Sequence, residues 1–238
     1  MSPPASVPQA ALASAILFST VGTYMALSPP HPNRSTSLFG DPFSRLKLTS
    51  KHVAKVAMAP IALLALHTAS LAYFSPDIPP SILGYGGMNG VSKSRVTWSP
   101  TTAVPLALIF CVGIPLRLGS YAALGGNFTF ALAEPNRLVT TGIYRYMRHP
   151  SYTGLLILIL CNMNLVGRVD GALSCWIRPV LFPYFLLVER VLRPVGVIAL
   201  VVIVLLRVKQ EEDMLHARFG VEWQEWRTRT RRFIPCII

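Results

Sequence analysis

Three predominantly apolar stretches, at about 8–28, 53–75 and 101–123, constrain this chain more than any motif in it. At 1.5 Å per residue, each is long enough as a helix to cross a hydrocarbon core of roughly 30 Å. A backbone in lipid must satisfy its own N–H and C=O groups, which leaves the helix as the natural form for isolated segments of this length. Composition agrees: of 238 residues 52% are hydrophobic and 13% charged, and the mean hydropathy of +0.49 is too apolar for an ordinary soluble domain. The net charge of +12 raises nucleic acid as a partner. Its basic residues, however, are scattered between apolar segments and concentrated near the C-terminus, so membrane orientation explains them and nucleic acid is excluded.

The pattern predicts two further helices. A fourth runs from about Pro150 to Val166, with Pro150 suited to the first turn, where its missing N–H costs nothing. A fifth opens at Pro194, passes through Val201 to Leu206, continues into the charged Arg207 to Arg218 segment and closes at Gly220. Between them, Arg168 to Arg193 is apolar but repeatedly broken, and reads as a re-entrant or interfacial element. Three segments are basic: the loop with Arg34, Arg45, Lys47 and Lys51, the loop with Arg137, Arg145 and Arg148, and the C-terminal tail. Placing all three in the cytosol puts the N-terminus in the lumen and satisfies the parity of the first three helices.

The expected architecture is therefore all-α: a single polytopic membrane bundle, 1–238, of about five transmembrane helices with a cytosolic or interfacial helical segment at its C-terminus. Residues 1–123 supply the N-terminal helices and 124–238 the chemistry. The first helix reads as a retained anchor, because no Lys or Arg precedes it as in a signal peptide. Gly84 to Gly90 follows no strand and does not match GxGxxG, so it is a loop. Cys111, Cys161, Cys175 and Cys236 form no CxxC pair and imply neither disulfide nor zinc. Cys236 is third from the end, where a prenylation signal needs the fourth position, so the chain is not expected to be prenylated.

Two constellations can carry chemistry. Gly142 to Gly154 (GIYRYMRHPSYTG) puts cations, a histidine and ring hydroxyls at the start of the fourth apolar run. Arg207 and Glu211, four residues apart, share one face of the fifth helix, followed by Phe219, Gly220, Trp223, Trp226 and Arg232 to Pro235. Alone, the second set reads as an exposed ion pair worth about 0.5 kcal/mol with an interfacial tryptophan belt. Two such clusters at the cytosolic ends of neighbouring helices favour function, because boundary charges that face inward are commonly functional.

The paired motifs, Leu138 to Tyr144 with Arg148 to Tyr152 and then Arg207 to Pro235, resemble the isoprenylcysteine carboxyl methyltransferases over roughly the C-terminal half. The resemblance implies S-adenosyl-L-methionine as methyl donor, a prenylated protein or peptide as acceptor in CaaX processing, and a multi-pass place in the endoplasmic reticulum membrane with the active site and C-terminus cytosolic. By the same resemblance, Asn136, Arg137, Leu138, Val139, Tyr144, His149, Pro150, Ser151, Tyr152 and Glu211 line the cofactor, and Arg207 contacts the substrate. Upstream, Ala131 to Glu134 departs from the family pattern, which has a glutamine near Ala133.

These residue types suit the chemistry. An acceptor carboxylate is already ionised at neutral pH, so no general acid or base is required, no metal is implied, and alignment with desolvation remains. His149 either orients the cofactor or caps the fourth helix; His67 is expected to be buried in the second. Glu212 and His216 make only one i, i+4 pair, too little for a metal site. The alternatives are a phospholipid N-methyltransferase, whose amine acceptor needs a base, a membrane sterol reductase, and a non-catalytic scaffold whose 168–193 insertion displaces the substrate entrance.

Overall fold

The computed structural model describes residues 6–28, 51–128 and 134–233, with side chains in the second segment from Lys55 onward. The expectations for Arg34, Arg45, Lys47, Ala131 to Ala133 and Cys236 lie outside the described residues. Five long helices and a short sixth carry the fold: α1 (Val7–Leu27), α2 (Lys51–Phe74), α3 (Pro100–Asn127), α4 (Pro150–Leu165), α5 (Phe182–Phe219) and α6 (Val221–Arg229). Among the described residues there is no strand, and α1, α2, α3 and α5 are each long and apolar enough to cross a membrane. The apolar α4 is shorter. The structure thus agrees with the all-α membrane bundle expected from sequence.

Local signals explain the helix starts. The Gln9 side chain accepts from the Ser6 backbone N–H at 2.6 Å, and Pro8 lies in the first turn of α1. Ser99 and Thr102 form the same box before Pro100 in α3. Just before Pro115, which cannot donate to the Cys111 carbonyl, α3 widens into a π turn at Ile109–Gly113, a common adjustment where the regular hydrogen-bond ladder is broken. Gly113 then lets α4 approach: a Cβ there would meet Leu158 at 2.9 Å, and one on Gly154 would meet the Gly113 carbonyl oxygen at 2.9 Å.

The core lies where α1, α2, α3 and α4 converge on Leu12, Ile16, Ala65, Leu106, Ile109 and Leu158. The helices alternate in direction. Trp98 Nε1 donates to the Pro8 carbonyl at one end, while at the other Arg117 Nε donates to the Ala26 carbonyl, so α1 and α3 run together. α4 returns antiparallel, with Ser151 beside Arg117 and Asn164 beside Arg95. The two ends of the bundle therefore differ, and the sequence motifs collect at the Arg117 end.

The opposite end is capped by residues 76–98 packed on residues 166–181. Asn89 Nδ2 donates to the carbonyls of Ser174 and Ile177, each at 2.7 Å, and Leu71, Val96, Ala172 and Cys175 form a small second core. An ion network ties this cap to α5: Arg95 to Asp170 (2.9 Å), Arg168 to Asp170 (3.1 Å), Arg168 to Glu189 (3.2 Å) and Arg193 to Glu189 (3.5 Å). Burial works against the Asp170 carboxylate, but the Arg168 hydrogen bond and the Arg95 charge outweigh it and hold its pKa below the usual range.

The fifth helix corrects the sequence reading. It begins at Phe182, not Pro194, and its 38 residues extend about 57 Å at 1.5 Å per residue. Arg168 to Arg193 is accordingly a capping loop followed by the first turns of α5 rather than a re-entrant element. The proline that opens the helix is Pro183, in its first turn; Pro194 is interior. An interior proline costs about 3 kcal/mol in water, yet in an apolar setting leaving the helix would expose more unsatisfied backbone than the one bond forgone. The insertion packs at the end away from Arg207 and does not cover it.

Candidate active site

At the Arg117 end, two chain segments far apart in sequence are stitched together by backbone. Residues 146–149 pair with 231–232: Arg148 N–H donates to the Arg231 carbonyl (2.7 Å), His149 N–H to the Arg232 carbonyl (3.0 Å) and Arg231 N–H to the Tyr146 carbonyl (3.3 Å). Thr153 Oγ1 donates to the Phe233 carbonyl at 2.9 Å. The GIYRYMRHPSYTG motif and the C-terminal segment are thus one structural unit.

Glu212 is the charge at its centre. With 6% of its surface exposed, it takes Arg232 on both oxygens (Nε to Oε1 3.1 Å, Nη2 to Oε2 2.5 Å), and Oε1 also lies 3.2 Å from His149 Nε2 and 3.2 Å from Arg148 Nε. Arg148 Nη1 reaches on to the Arg227 and Thr230 carbonyls. From sequence, Glu212 was weighed only as a metal ligand and Arg232 named only as part of the second constellation, and neither was given a site role. The periodicity of α5 held the signal, since Val204, Val208 and Leu215 face inward and Glu212 adjoins that face.

His149 therefore has a defined partner. Its side chain makes no cap for α4; the cap comes from its carbonyl, which accepts from the Tyr152 and Thr153 N–H groups, while the ring lies against Glu212. His67, expected to be buried, is half-buried on α2 with its ring 5.4 Å from Trp176.

The tryptophans are not a belt. Trp223 and Trp226 are buried with Tyr144 and Leu215, against half-buried Leu138, Val139, Ile143, Met214 and Phe219. Trp226 Nε1 donates to the Tyr144 carbonyl at 2.9 Å. This apolar wedge fixes the 138–144 loop to α5 and α6. Gly142, at φ +62°, makes the turn that allows it.

On the face of α5 turned to this wedge, Arg207 is 7% exposed and Glu211 half-buried. The Tyr152 phenol on α4 lies beside both, within reach of either charge. Arg207 is thus a buried cation beside a phenol, not the exposed ion pair that its spacing alone suggests. Tyr144 lies near Ser120 and Glu211; burial first, and then the Glu211 carboxylate, push its phenol upward, so it stays protonated.

Of the sequence-predicted residues, Tyr144, Tyr152, Arg207 and Glu211 come together, with Leu138 and Val139 at the edge of the same wedge. Pro150 and Ser151 are buried beneath them, Ser151 beside Arg117. Asn136 and Arg137 are exposed in the loop leading in, and the Asn136 N–H meets Asn127 Oδ1 at 3.4 Å.

Arg117 was missed altogether. It is 4% exposed, donates from Nε to the Ala26 carbonyl (3.1 Å), bonds the Ser151 carbonyl and hydroxyl, and has its guanidinium over the Tyr121 and Phe128 rings. Its signal was plain: it is the charged residue inside the apolar 101–123 run, where such residues are costly and commonly functional.

Fold and site together define a polytopic α-helical membrane protein with an arginine, tyrosine and glutamate cluster at one bundle end. Comparison with known proteins shows what this chain is similar to. Residues 106–194 match the isoprenylcysteine carboxyl methyltransferase family, which bears out the resemblance read from the motifs. That stretch includes the GIYRYMRHPSYTG motif and ends before Arg207.

The chain is similar to protein-S-isoprenylcysteine O-methyltransferases of Schizosaccharomyces pombe and Homo sapiens. The first is 29% identical over 131 residues, 53% of this chain and 47% of the relative; the second is 28% identical over 153 residues, 60% and 43%. Protein-S-isoprenylcysteine O-methyltransferase A of Arabidopsis thaliana is 37% identical over 79 residues, 29% and 39%. The matches span less than half the length of these relatives.

Proposed function

We propose that this chain transfers a methyl group from S-adenosyl-L-methionine to the carboxylate of a C-terminal prenylcysteine. The observation that carries the reading is the gathering of buried Arg207 and half-buried Glu211 around Tyr152, at the boundary between apolar helix and basic loop. A cation for an acidic acceptor and a carboxylate for a cationic donor sit one helical turn apart.

The residues fit such a donor. Glu211 offers a carboxylate to an ammonium or to ribose hydroxyls, Tyr144 and Tyr152 are polar neighbours, and half-buried Leu138 and Val139 provide an apolar edge. Bound there, the donor supplies an electrophilic methyl on a sulfonium.

The protein's part is alignment. Arg207 presents a planar fork to the acceptor carboxylate, and Tyr152 fixes the fork relative to Glu211. A carboxylate nucleophile with an ordinary pKa near ~3.5 needs no base at neutral pH. Burial of Arg207 removes water from the encounter, where charge and orientation count for more. A prenyl tail already lies in lipid, with about 0.8 kcal/mol per methylene favouring it there, so acceptor and cofactor arrive from different phases.

The basic residues at this end favour a cytosolic orientation, and the reading assigns the enzyme to the endoplasmic reticulum membrane. Labelled donor supplied to membranes with a prenylcysteine analogue, phosphatidylethanolamine or a sterol tests it. Base-labile label on the prenylcysteine supports the proposal; label on the amine lipid, or none on any acceptor, refutes it.

A further inference from the structure

Behind Glu212, on the side of α5 away from Arg207, the surface holds two adjoining cavities that the proposed methyl transfer does not use. One, of about 700 Å³, is lined by Arg148, Arg227, Arg231 and Arg232 with Gln224, Thr228 and Thr230. The other, of about 610 Å³, runs from Val202, Leu205 and Leu206 up to Lys209, Asp213, His216 and Trp223. Arg227 and Arg232 line both, so the two join at their polar ends.

The charge here is excessive for the fold's own needs. Glu212 answers Arg148 and Arg232 together, and Asp213 is the other carboxylate lining the groove. Arg227, Arg231 and Lys209 add three more cations, and Arg227 and Arg231 are exposed. Burial, opposed by Glu212 and reinforced by the charges of Arg232 and Arg227, drives Arg148 downward, the direction expected where cations are crowded. An added anion relieves that crowding. Buried Trp223 closes the floor of the groove, with the Arg227 guanidinium 5.2 Å from its ring centre.

The second limb tells what carries the anion. Val202, Leu205 and Leu206 belong to the apolar span of α5 and are 47%, 44% and 57% exposed. A free anion has no use for that floor, whereas a lipid has both parts, one above the other. We propose that the joined cavities bind an anionic phospholipid, its phosphate and acidic headgroup among Arg148, Arg227, Arg231 and Arg232 and an acyl chain along Val202, Leu205 and Leu206. The site is independent of the methyl-transfer reading, because it lies on the other face of α5 and uses neither Arg207 nor Glu211.

The test is native mass spectrometry of the full chain released from nanodiscs of mixed phosphatidylserine and phosphatidylcholine, with circular dichroism as the folding control. Retention of phosphatidylserine over phosphatidylcholine is expected. Arg227→Gln with Arg231→Gln, both exposed, should lower it about tenfold or more, since hydrogen bonds to charged groups are the strong ones. Leu205→Trp, which fills the apolar limb and leaves every cation in place, should lower it as well.

Equal retention of the two lipids, or no change in the double variant, overturns the proposal. Displacement by inorganic phosphate at millimolar concentration overturns the lipid and leaves a free-anion site. Displacement by a prenylcysteine analogue overturns it in favour of an acceptor path.

Discussion

Arg232 grips Glu212 with two nitrogens, Nε on Oε1 at 3.1 Å and Nη2 on Oε2 at 2.5 Å, across the end of α5. The same carboxylate faces Arg148 and His149, so one buried acid locks the C-terminal segment to the loop that opens α4. Arg232 benefits in turn: its hydrogen bond to Glu212 raises it above the ordinary guanidinium range.

The two partners should not be equal under mutation. Glu212→Ala leaves Arg148 and His149 buried without their acid and is expected to cost about 3 kcal/mol or more. The Arg232 side chain is 38% exposed, so Arg232→Ala should cost about 1 kcal/mol. Denaturant midpoints in detergent check the order, and a larger loss for Arg232→Ala would show that Glu212 is not the hub.

Tyr152→Phe probes the site without moving a charge. The hydroxyl lies beside both Arg207 and Glu211. Loss of its polar contact with these charged groups predicts a fall of about tenfold to a hundredfold in kcat/KM with an unchanged melting curve. Glu211→Gln should raise the KM for the donor, and Arg207→Ala the KM for the acceptor. Wild-type kinetics in all three variants would remove this cluster from the reaction.

Much of this was visible in the chain itself, for physical reasons. Spans at 8–28, 53–75 and 101–123 agree with α1, α2 and α3 because lipid-length apolar runs have few folds open to them. Arg207 and Glu211 share a face because helical spacing is local. The start of α5 was missed because Pro194 carries the same local signal as Pro183, and only the surrounding medium decides which one opens the helix. The role of Glu212 was missed because it depends on Arg148 and Arg232, which are distant in sequence and meet only through the 146–149 and 231–232 pairing.

Glycine substitutions separate packing from propensity. A Cβ on Gly154 would meet the Gly113 oxygen at 2.9 Å and the Arg117 nitrogen at 3.1 Å, both backbone atoms that cannot swing aside. Gly154→Ala should therefore cost about 1–3 kcal/mol by forcing α3 and α4 apart. Gly196 on α5 has nothing within 4 Å, so Gly196→Ala should instead gain about 0.5–1 kcal/mol from helix propensity. Opposite shifts in melting temperature are the expected readout; two losses would mean that the Gly196 face is packed.

Arg117 gives the sharpest test of how the bundle holds the site. Its Nε bonds the Ala26 carbonyl at the end of α1, one Nη bonds Ser151 at the start of α4, and its plane lies over Tyr121 and Phe128. The Ala26 carbonyl also accepts from the Tyr121 hydroxyl, so one guanidinium joins three helices where the motif begins. Lysine keeps the charge but is a point donor without the flat fork that serves two helices at once. If charge were what mattered, Arg117→Lys would be nearly silent. If geometry matters, Arg117→Lys and Arg117→Met should both lose about 2–4 kcal/mol, through acceptors left unsatisfied and stacking lost, with lysine recovering less than half of the methionine deficit. Unfolding midpoints decide between the two, and a lysine variant as stable as wild type would show that α1 and α4 are joined by charge alone.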